Sequence, residues 1–263
     1  MNKLSLLKGA CVAGMLTMVS GLSHATVVEI RTSLGNVQVN LFDNTTPKTV
    51  ANFLGYVKAG SYVNNVVHRV EPGFVVQAGG FQYNDEFPLD NVATGAPVEN
   101  EPKLSNVRGT IAMAKSAGNP NSATSQWFVN LANNSAGGGK LDTQNGGFTV
   151  FGQVIGDGMQ IIDAIAALNR FNLGGAANSM PLRNYTSADA SNNVEITSDN
   201  LVLISDIVVI DAATTTHPDI VPVPNTLINQ PGNDGSGSDS GGGGSFAWLS
   251  LLALVLVARR LRV

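Results

Sequence analysis

Short strand-like segments recur along residues 26–213 of this 263-residue chain, and this recurrence restricts the fold more than any other feature. Alternating apolar and polar residues mark a first pair, VVEIR and NVQVNLF, and the turn residues SLGN between them predict a hairpin. Further candidate strands are VVHRV, FVVQA, GTIAMAK, SQWFVNL, FTVFGQVI and LVLISDIVVID. Many short strands with few helices predict an antiparallel sheet that closes on itself, with helices over its open ends.

Two segments have the pattern of amphipathic helices. In TPKTVANFLGYVKAG, Thr46 is a candidate N-cap, Pro47 takes the first helical position and Gly60 follows the end. The apolar residues of this segment recur at i, i+3, i+4 and i+7, which places them on one helix face. A second helix is predicted over DGMQIIDAIAAL, from Asp157. Residues 169–200 interrupt the pattern and are predicted to be a long loop insertion.

The first 25 residues have the composition of a secretory signal peptide. Lys3 and Lys8 precede an apolar run, and small residues lead up to Ala25, after which we expect cleavage. The run is short for the alternative, a membrane-spanning helix. Cys11 lies before the apolar run rather than after it, which argues against a lipoprotein signal. The sequence therefore predicts an exported protein.

The C-terminal end also has an unusual composition. Residues 214–244 are rich in Thr, Pro, Asn, Ser and Gly, and they are predicted to be a disordered linker because they contain little apolar surface. Residues 245–263 combine a short apolar run with Arg259, Arg260 and Arg262. This end resembles the GlyGly-CTERM sorting tails of exported Gram-negative proteins. The resemblance implies cleavage by a rhomboid-type protease and a location in the periplasm, in the cell envelope or at the cell surface. An uncleaved short anchor is the alternative.

The sequence lacks the residues that several common catalytic and binding sites require. Cys11 is the only cysteine, so the cleaved chain has no disulfide and no thiolate metal site. His68 is the only histidine between residues 26 and 213, and no G-x-S-x-G, H-E-x-x-H, P-loop or dinucleotide motif occurs. The net charge of −4 gives no basis for nucleic-acid binding. A polar surface loop is favoured over a calcium site in the insertion, since no EF-hand spacing relates Asp189, Glu195 and Asp199.

An ordered set of motifs resembles the cyclophilin-type peptidyl-prolyl isomerases. These motifs are HRV, PGF, Gln77, GGF, GTIAMA, SQWF and VFGQV, which follow one another between His68 and Val154. PKTVANF, VENE and the final strand-like segment extend the similarity over nearly the whole of residues 26–213. The resemblance implies a mainly β fold, a closed eight-stranded antiparallel β-barrel capped by two α-helices, with the active site on its outer surface.

The resemblance also implies a site without a nucleophile, because rotation about an X–Pro bond breaks no covalent bond. Arg69 would donate to the prolyl nitrogen of the twisted amide. Gln77 would hold the substrate carbonyl and support Arg69, whereas His68 is interpreted as a structural residue rather than a base. Apolar residues would surround the proline ring, with Met113 as much core as pocket. The residues expected to bind substrate are Phe74, Val75, Met113, Ala114, Lys115, Gln126, Phe128, Leu141 and Phe148.

Some positions depart from the better-known cyclophilin pattern. Lys140 stands where members that bind cyclosporin tightly have tryptophan, so weak cyclosporin inhibition is expected. Val75 stands where methionine is frequent, Lys115 where asparagine is frequent, and Phe148 where histidine is frequent. These departures affect the expected drug affinity rather than the expected activity.

Two functions fit these residues. One is an exported isomerase that assists folding, acts as a monomer without cofactor or metal, and binds proline-containing segments of unfolded exported proteins. The other is a proline-peptide binding or chaperone module with incidental catalysis. The joint presence of Arg69 and Gln77 favours the isomerase. Export machinery and a rhomboid-type sorting protease are further expected partners. A hydrolase is set aside because its nucleophile–base pair is missing.

Overall fold

The structure, a computed structural model, describes residues 26–213 and 216–230. Its strands are β1 (Val27–Thr32), β2 (Gly35–Leu41), β3 (Asn65–Val66), β4 (Arg69–Glu71), β5 (Val75–Ala78), β6 (Phe81–Gln82), β7 (Asp90–Asn91), β8 (Thr110–Met113), β9 (Trp127–Asn130), β10 (Val150–Ile155), β11 (Asn169–Phe171), β12 (Met180–Leu182) and β13 (Leu203–Asp211). Its α-helices are α1 (Pro47–Lys58), α2 (Gly158–Ala166) and α3 (Ser187–Ser191), and short 3-10 helices span Gln144–Gly146, Gly175–Ala177 and Ser198–Asn200.

The first hairpin and the two long helices are confirmed. Strands β1 and β2 pair antiparallel from Val27 opposite Asn40 to Thr32 opposite Gly35. Helix α1 begins at Pro47, as its fixed φ angle favours, although the N-cap Thr46 makes no side-chain capping hydrogen bond. Both helices pack their apolar faces on the interior core.

The main sheet is curled but is not the predicted closed eight-stranded barrel. It has eleven strands in the order β4-β5-β9-β8-β10-β2-β1-β13-β3-β6-β7, and no ladder among the described residues joins its end strands. The backbone N–H of Val67 donates to Val202 O at 3.0 Å, while that of His68 donates to Gln77 O at 3.2 Å. The chain thus changes partner between β3 and β4, which divides one predicted strand into two short ones.

The interior core lies between the concave side of this sheet and the helices. Phe53 of α1, Tyr62 and Phe151 of β10 are fully buried there, with ring centroids of Phe53 and Phe151 5.1 Å apart. Pairs of this kind add to the area that the rings bury. A second apolar cluster lies apart from the interior core and contains Phe74 and Phe128. It belongs to the candidate site described below.

The insertion, residues 169–200, is not the long loop that was predicted. Strands β11 and β12 form a separate two-stranded sheet, and a capping box of Thr186 and Asp189 starts the five-residue helix α3. Met180 and Leu182 of β12 are buried in a third apolar cluster with Tyr83. Elements this short contain too few residues to show a hydrophobic period, which explains why the sequence pattern missed them.

The C-terminal segment, residues 216–230, packs on the domain although its composition predicts a linker. The backbone N–H of Ser105 donates to Val223 O at 2.8 Å, and that of Asn225 donates to Lys103 O at 2.9 Å. Ile220 packs against the second apolar cluster. The predicted signal peptide, the end of the predicted linker and the tail lie outside the described residues. Within residues 26–213 and 216–230, no helix has the length and apolar character to cross a membrane.

Candidate functional site

Three polar side chains of the candidate site form a hydrogen-bonded row. The register of β4 and β5 places Arg69 opposite Gln77, and directly opposed residues present their side chains on the same face. The Nη1 of Arg69 donates to Oε1 of Gln77 at 3.2 Å. The Nε2 of Gln77 donates in turn to Oε1 of Gln126 at 2.9 Å. The row thus brings together the two predicted catalytic residues and one predicted substrate-binding residue.

The guanidinium of Arg69 is largely buried and has an acidic neighbour. Only 6% of Arg69 is exposed, and burial lowers the pKa of its guanidinium while Glu71 opposes this effect. An oxygen of Glu71 lies 3.3 Å from Nη2 of Arg69. Because arginine stays protonated in proteins, Arg69 places a positive charge in a site that is largely shielded from solvent. Sequence reasoning missed Glu71, yet the two-residue period of a strand places it on the same face as Arg69.

The apolar residues of the site form one closed cluster. Phe74, Phe128, Leu141 and Phe148 are each at most 8% exposed and pack together with Val75 and Ala114. The rings of Phe128 and Phe148 meet edge to face with centroids 5.9 Å apart. Phe148, which was predicted at the rim of a pocket, is only 2% exposed. The structure therefore gathers these residues as predicted and buries their side chains together.

Met113 lies away from this cluster. It is fully buried in the interior core and pairs with Trp127 between β8 and β9. Strand alternation explains the separation, since its neighbours Ala112 and Ala114 point to the opposite side of the sheet and join the Phe128 cluster. Met113 therefore acts as core in this structure.

The side chain of Lys115 is buried and packs over the ring of Phe148. Its Nζ donates to Gly147 O at 2.6 Å and to Asn145 O at 2.9 Å. The same Nζ lies 4.7 Å from the ring centroid of Phe148, within the range of a cation–π contact. Burial lowers the pKa of Lys115 to about 8. Lys115 therefore holds the backbone of residues 145–147 in place above the ring.

A cavity of about 340 Å³ adjoins the polar row. Three predicted substrate-binding residues line it, namely Ala114, Lys115 and Gln126. The remaining lining residues were missed by sequence reasoning, and they are mostly small or polar: Gly80, Asn91, Val92, Thr94, Ser116, Ser122, Thr124 and Ser125. Among them, Gly80 of the GGF motif and Ser125 of the SQWF motif carried a signal. The lining of this cavity is thus more polar than that of the predicted pocket.

Comparison with known proteins identifies the family. Residues 27–189 match the family described as cyclophilin-type peptidyl-prolyl cis-trans isomerase/CLD. The chain belongs to this family of isomerases. The cyclophilin prediction and the predicted enzyme class are therefore confirmed.

Curated relatives support the same conclusion. The chain is 43% identical over 156 residues to a peptidyl-prolyl cis-trans isomerase of Acinetobacter baylyi, covering 58% of this chain and 78% of the relative. It is 40% identical over 144 residues to peptidyl-prolyl cis-trans isomerase B of Escherichia coli, covering 53% and 83%. A crystal structure of a cyclophilin-type isomerase of Cryptosporidium parvum matches at 23% identity with a TM-score of 0.49, over 71% of this chain and 98% of that chain.

His68, the only histidine between residues 26 and 213 of this cyclophilin, takes no part in the polar row. His68 is 1% exposed, and its ring meets that of Phe81 edge to face with centroids 4.8 Å apart. Burial, reinforced by the charge of Arg69, lowers the pKa of His68 to about 3. His68 is therefore neutral at physiological pH. Within the described part of the chain, no three His, Cys, Asp or Glu residues lie close enough together to hold a metal ion.

Proposed function

We propose that this cyclophilin accelerates rotation about X–Pro bonds in exported proteins and thereby assists their folding. The observation that carries the proposal is the buried guanidinium of Arg69, hydrogen-bonded to Gln77 at 3.2 Å beside the Phe128 cluster. A fixed donor next to an apolar surface suits a reaction in which no bond is made or broken.

The chemistry depends on the amide of the X–Pro bond. Rotation interrupts its resonance, which accounts for a barrier of roughly 18–20 kcal/mol. The prolyl nitrogen regains a lone pair as the amide twists, so a donor aimed at that nitrogen binds the twisted form better than either planar form. In our proposal Arg69 is that donor, and Gln77 keeps its guanidinium oriented while contacting the substrate carbonyl.

The free energy that catalysis requires shows that Arg69 cannot act alone. A hydrogen bond to a charged group contributes about 1.5–3 kcal/mol net. An acceleration of about 10⁵ requires about 7 kcal/mol. The difference is assigned to substrate positioning and to an apolar environment, which favours the less polar twisted amide. Phe74, Phe128 and Leu141 would supply that environment.

In our proposal the buried cluster around Phe128 rearranges when substrate binds. In our proposal the peptide lies across the cavity, where Gln126 and the main chain of Lys115 contact it. No hydrogen bond among the described residues engages the backbone N–H or C=O of Lys115. The side chain of Phe148 rotates to admit the proline ring onto Phe128. Ring rotation in a packed cluster costs contacts, which the entering ring replaces.

The proposed location depends on the two ends of the sequence. The signal-like residues 1–25 and the tail at residues 245–263 support export to the periplasm, cell envelope or surface of a Gram-negative bacterium. The proposed partners are proline-containing segments of unfolded exported proteins, the export machinery and a rhomboid-type protease. Intact mass of the protein from membrane and medium fractions tests this, and we expect an N-terminus at Thr26. A full-length chain in the cytoplasmic fraction would contradict the proposed location.

The catalytic proposal is tested with a short Xaa-Pro peptide. We expect Arg69→Ala to lower kcat/KM for isomerisation by about 10- to 100-fold while peptide binding persists, because one charge-assisted hydrogen bond is lost. Arg170→Ala, at an exposed arginine of the insertion, is the control and should leave kcat/KM unchanged. Equal turnover by wild type and Arg69→Ala would refute the role of Arg69. Negligible turnover in both, with retained binding, would favour the alternative of a binding or chaperone module.

A further inference from the structure

A second cavity lies outside the candidate active site. This aromatic groove has a volume of about 810 Å³, and residues of the insertion and of the segment 83–87 line it. Its aromatic residues are Tyr83, Phe87, Phe171 and Tyr185. Pockets that bind a drug-sized ligand have volumes of roughly 300–1,000 Å³. The groove is therefore large enough to take a short peptide segment.

The floor of the aromatic groove is packed, whereas its walls expose apolar side chains. Tyr185 is buried, its hydroxyl donates to Val194 O at 2.7 Å, and its ring meets Phe171 edge to face at 5.1 Å. On the walls, Phe87 is 40%, Leu173 37% and Val194 47% exposed. Apolar side chains exposed together around one cavity mark a binding surface more often than scattered ones do.

The charges of the aromatic groove all have one sign. The lining residues that carry a charge at neutral pH are Asp85, Glu86 and Glu195, and all three are exposed. Among the described residues, none of these three carboxylates has an ion pair or a side-chain hydrogen bond with another residue. Carboxylates beside aromatic rings suit a ligand that carries Lys or Arg together with apolar side chains, because the rings also attract cations.

The aromatic groove is joined directly to strand β4, which carries Arg69. Phe171 pairs with Met180 between β11 and β12, and Ser179 precedes Met180 in the chain. The backbone N–H of Val70 donates to Ser179 O at 2.9 Å, and the hydroxyl of Ser179 donates to Val70 O at 2.6 Å. A bridge also pairs Ser179 with Arg69. The insertion therefore connects the groove to the strand that carries the guanidinium.

We infer that the aromatic groove is a second binding site for the unfolded polypeptide substrate, which takes a segment containing Lys or Arg beside aromatic or aliphatic residues. The charge complementarity of the carboxylates and the exposed apolar walls select this partner chemistry. Unfolded proteins expose such segments. A substrate held in the groove keeps its X–Pro bonds at a high local concentration near the catalytic site. The inference rests on the proposed isomerase function for its catalytic consequence, but not for the binding itself.

The test compares a short peptide with an unfolded protein as substrate of the full chain. The variant Val194→Ser/Glu195→Lys changes one apolar wall residue and one carboxylate. We expect it to raise KM about fivefold or more for a permanently unfolded protein, and to leave kcat/KM for a short Xaa-Pro peptide within about twofold. Removing a contact at the centre of a binding site weakens binding by more than about 1 kcal/mol. A free-energy change of about 1 kcal/mol corresponds to a roughly fivefold change in affinity.

The matched control is Val209→Ser/Asp199→Lys. Val209 is 46% exposed against 47% for Val194, and Asp199 lies in the same insertion but outside the aromatic groove. This control should leave KM for the unfolded protein and kcat/KM for the short peptide unchanged. Equal KM values for the unfolded protein in variant, control and wild type would overturn the inference. A parallel loss of short-peptide activity in the variant would also overturn it, because the effect would then be on the catalytic site.

A binding experiment separates this inference from the proposed function. The probe is a fluorescein-labelled ten-residue peptide of Lys, Leu and Phe without proline, followed by fluorescence anisotropy. We expect wild type and control to bind it, the groove variant to bind it at least about fivefold more weakly, and binding to weaken as salt increases. Absence of binding to the wild type would refute the groove site even if X–Pro isomerisation is active. Binding without isomerisation would refute the proposed function and leave the groove supported.

Discussion

Gly80 leaves no room for a side chain beside Gln126. A Cβ placed on Gly80 would lie 2.4 Å from Nε2 and 2.6 Å from Cδ of Gln126, distances that real Cβ atoms do not show. The side chain of Gln126 accepts the hydrogen bond from Gln77 that completes the row beginning at Arg69. The GGF motif therefore has a steric reason: its second glycine allows the side chain of Gln126 to lie against the main chain between β5 and β6.

We expect Gly80→Ala to lower kcat/KM for a short Xaa-Pro peptide about tenfold, because Gln126 moves and the hydrogen-bonded row is broken. The clash is with the end of a flexible side chain, so the thermal midpoint should change little. Gly55→Ala is the control, since a Cβ at Gly55 meets nothing within 4 Å, and alanine there should stabilise helix α1. Unchanged kcat/KM in Gly80→Ala would show that Gln126 has no part in catalysis.

His68 should make the protein sensitive to acid. Its pKa of about 3 in the folded protein lies below the ordinary value of 6.5. The unfolded chain therefore binds the proton first, and the free energy of unfolding falls as pH falls from 6.5 towards 3, by up to about 1.4 kcal/mol per pH unit. Denaturant unfolding between pH 4 and 7 should show a smaller pH slope for His68→Gln than for wild type. The control Asn91→Gln, at an exposed position of β7, changes no titrating group and should keep the wild-type slope. Equal slopes in all three would refute the buried neutral state of His68.

Lys115 should make the free energy of unfolding depend on pH in alkaline rather than acidic solution. Its pKa of about 8 lies below the ordinary value of 10.5, so between these values the unfolded chain binds more protons. The free energy of unfolding contributed by this group therefore rises as pH increases from about 8 to 10.5. Lys115→Met removes the titrating group, and its stability relative to wild type should be greatest at pH 7 and decline towards pH 10.5. A difference that does not vary with pH would contradict the burial of a charged Lys115.

The C-terminal segment should stabilise the domain through Asn225. The Nδ2 of Asn225 donates to Asp142 O at 2.8 Å and to Pro102 O at 3.1 Å, and Asn225 is 8% exposed. We expect Asn225→Ala to lower the free energy of unfolding by about 1–3 kcal/mol, since buried carbonyls lose their donor. Asn91→Ala, at an exposed position of β7, should cost much less. Equal midpoints for wild type and Asn225→Ala would indicate that residues 216–230 contribute nothing to stability.

Cyclosporin should inhibit this cyclophilin weakly. Lys140 is exposed and has a positive φ of 49°, and it lacks the indole N–H expected of members that bind the drug tightly. Inhibition of peptide isomerisation by cyclosporin, titrated against the wild type, provides the measurement. Half-maximal inhibition at nanomolar concentrations would contradict the prediction.

The ordered motifs were sufficient to predict the family through their resemblance to the cyclophilins. Local features predicted the hairpin of β1 and β2 and the positions of α1 and α2, namely a strand period of two, a helix face and a proline at the first helical position. The row from Arg69 to Gln77 was also predictable, because both residues belong to recognisable motifs.

Tertiary structure alone decided the remaining features. The chain exchanges partners between Val67 and His68, Phe148 packs on Phe128, and the Nζ of Lys115 lies over the ring of Phe148. The insertion meets strand β4 through Ser179 and Val70, which are 109 residues apart in the chain. No local pattern encodes such a contact, since hydrophobic period and turn chemistry describe neighbouring residues. The free energy that selects it comes from burial and hydrogen bonds between segments that meet only in the folded chain.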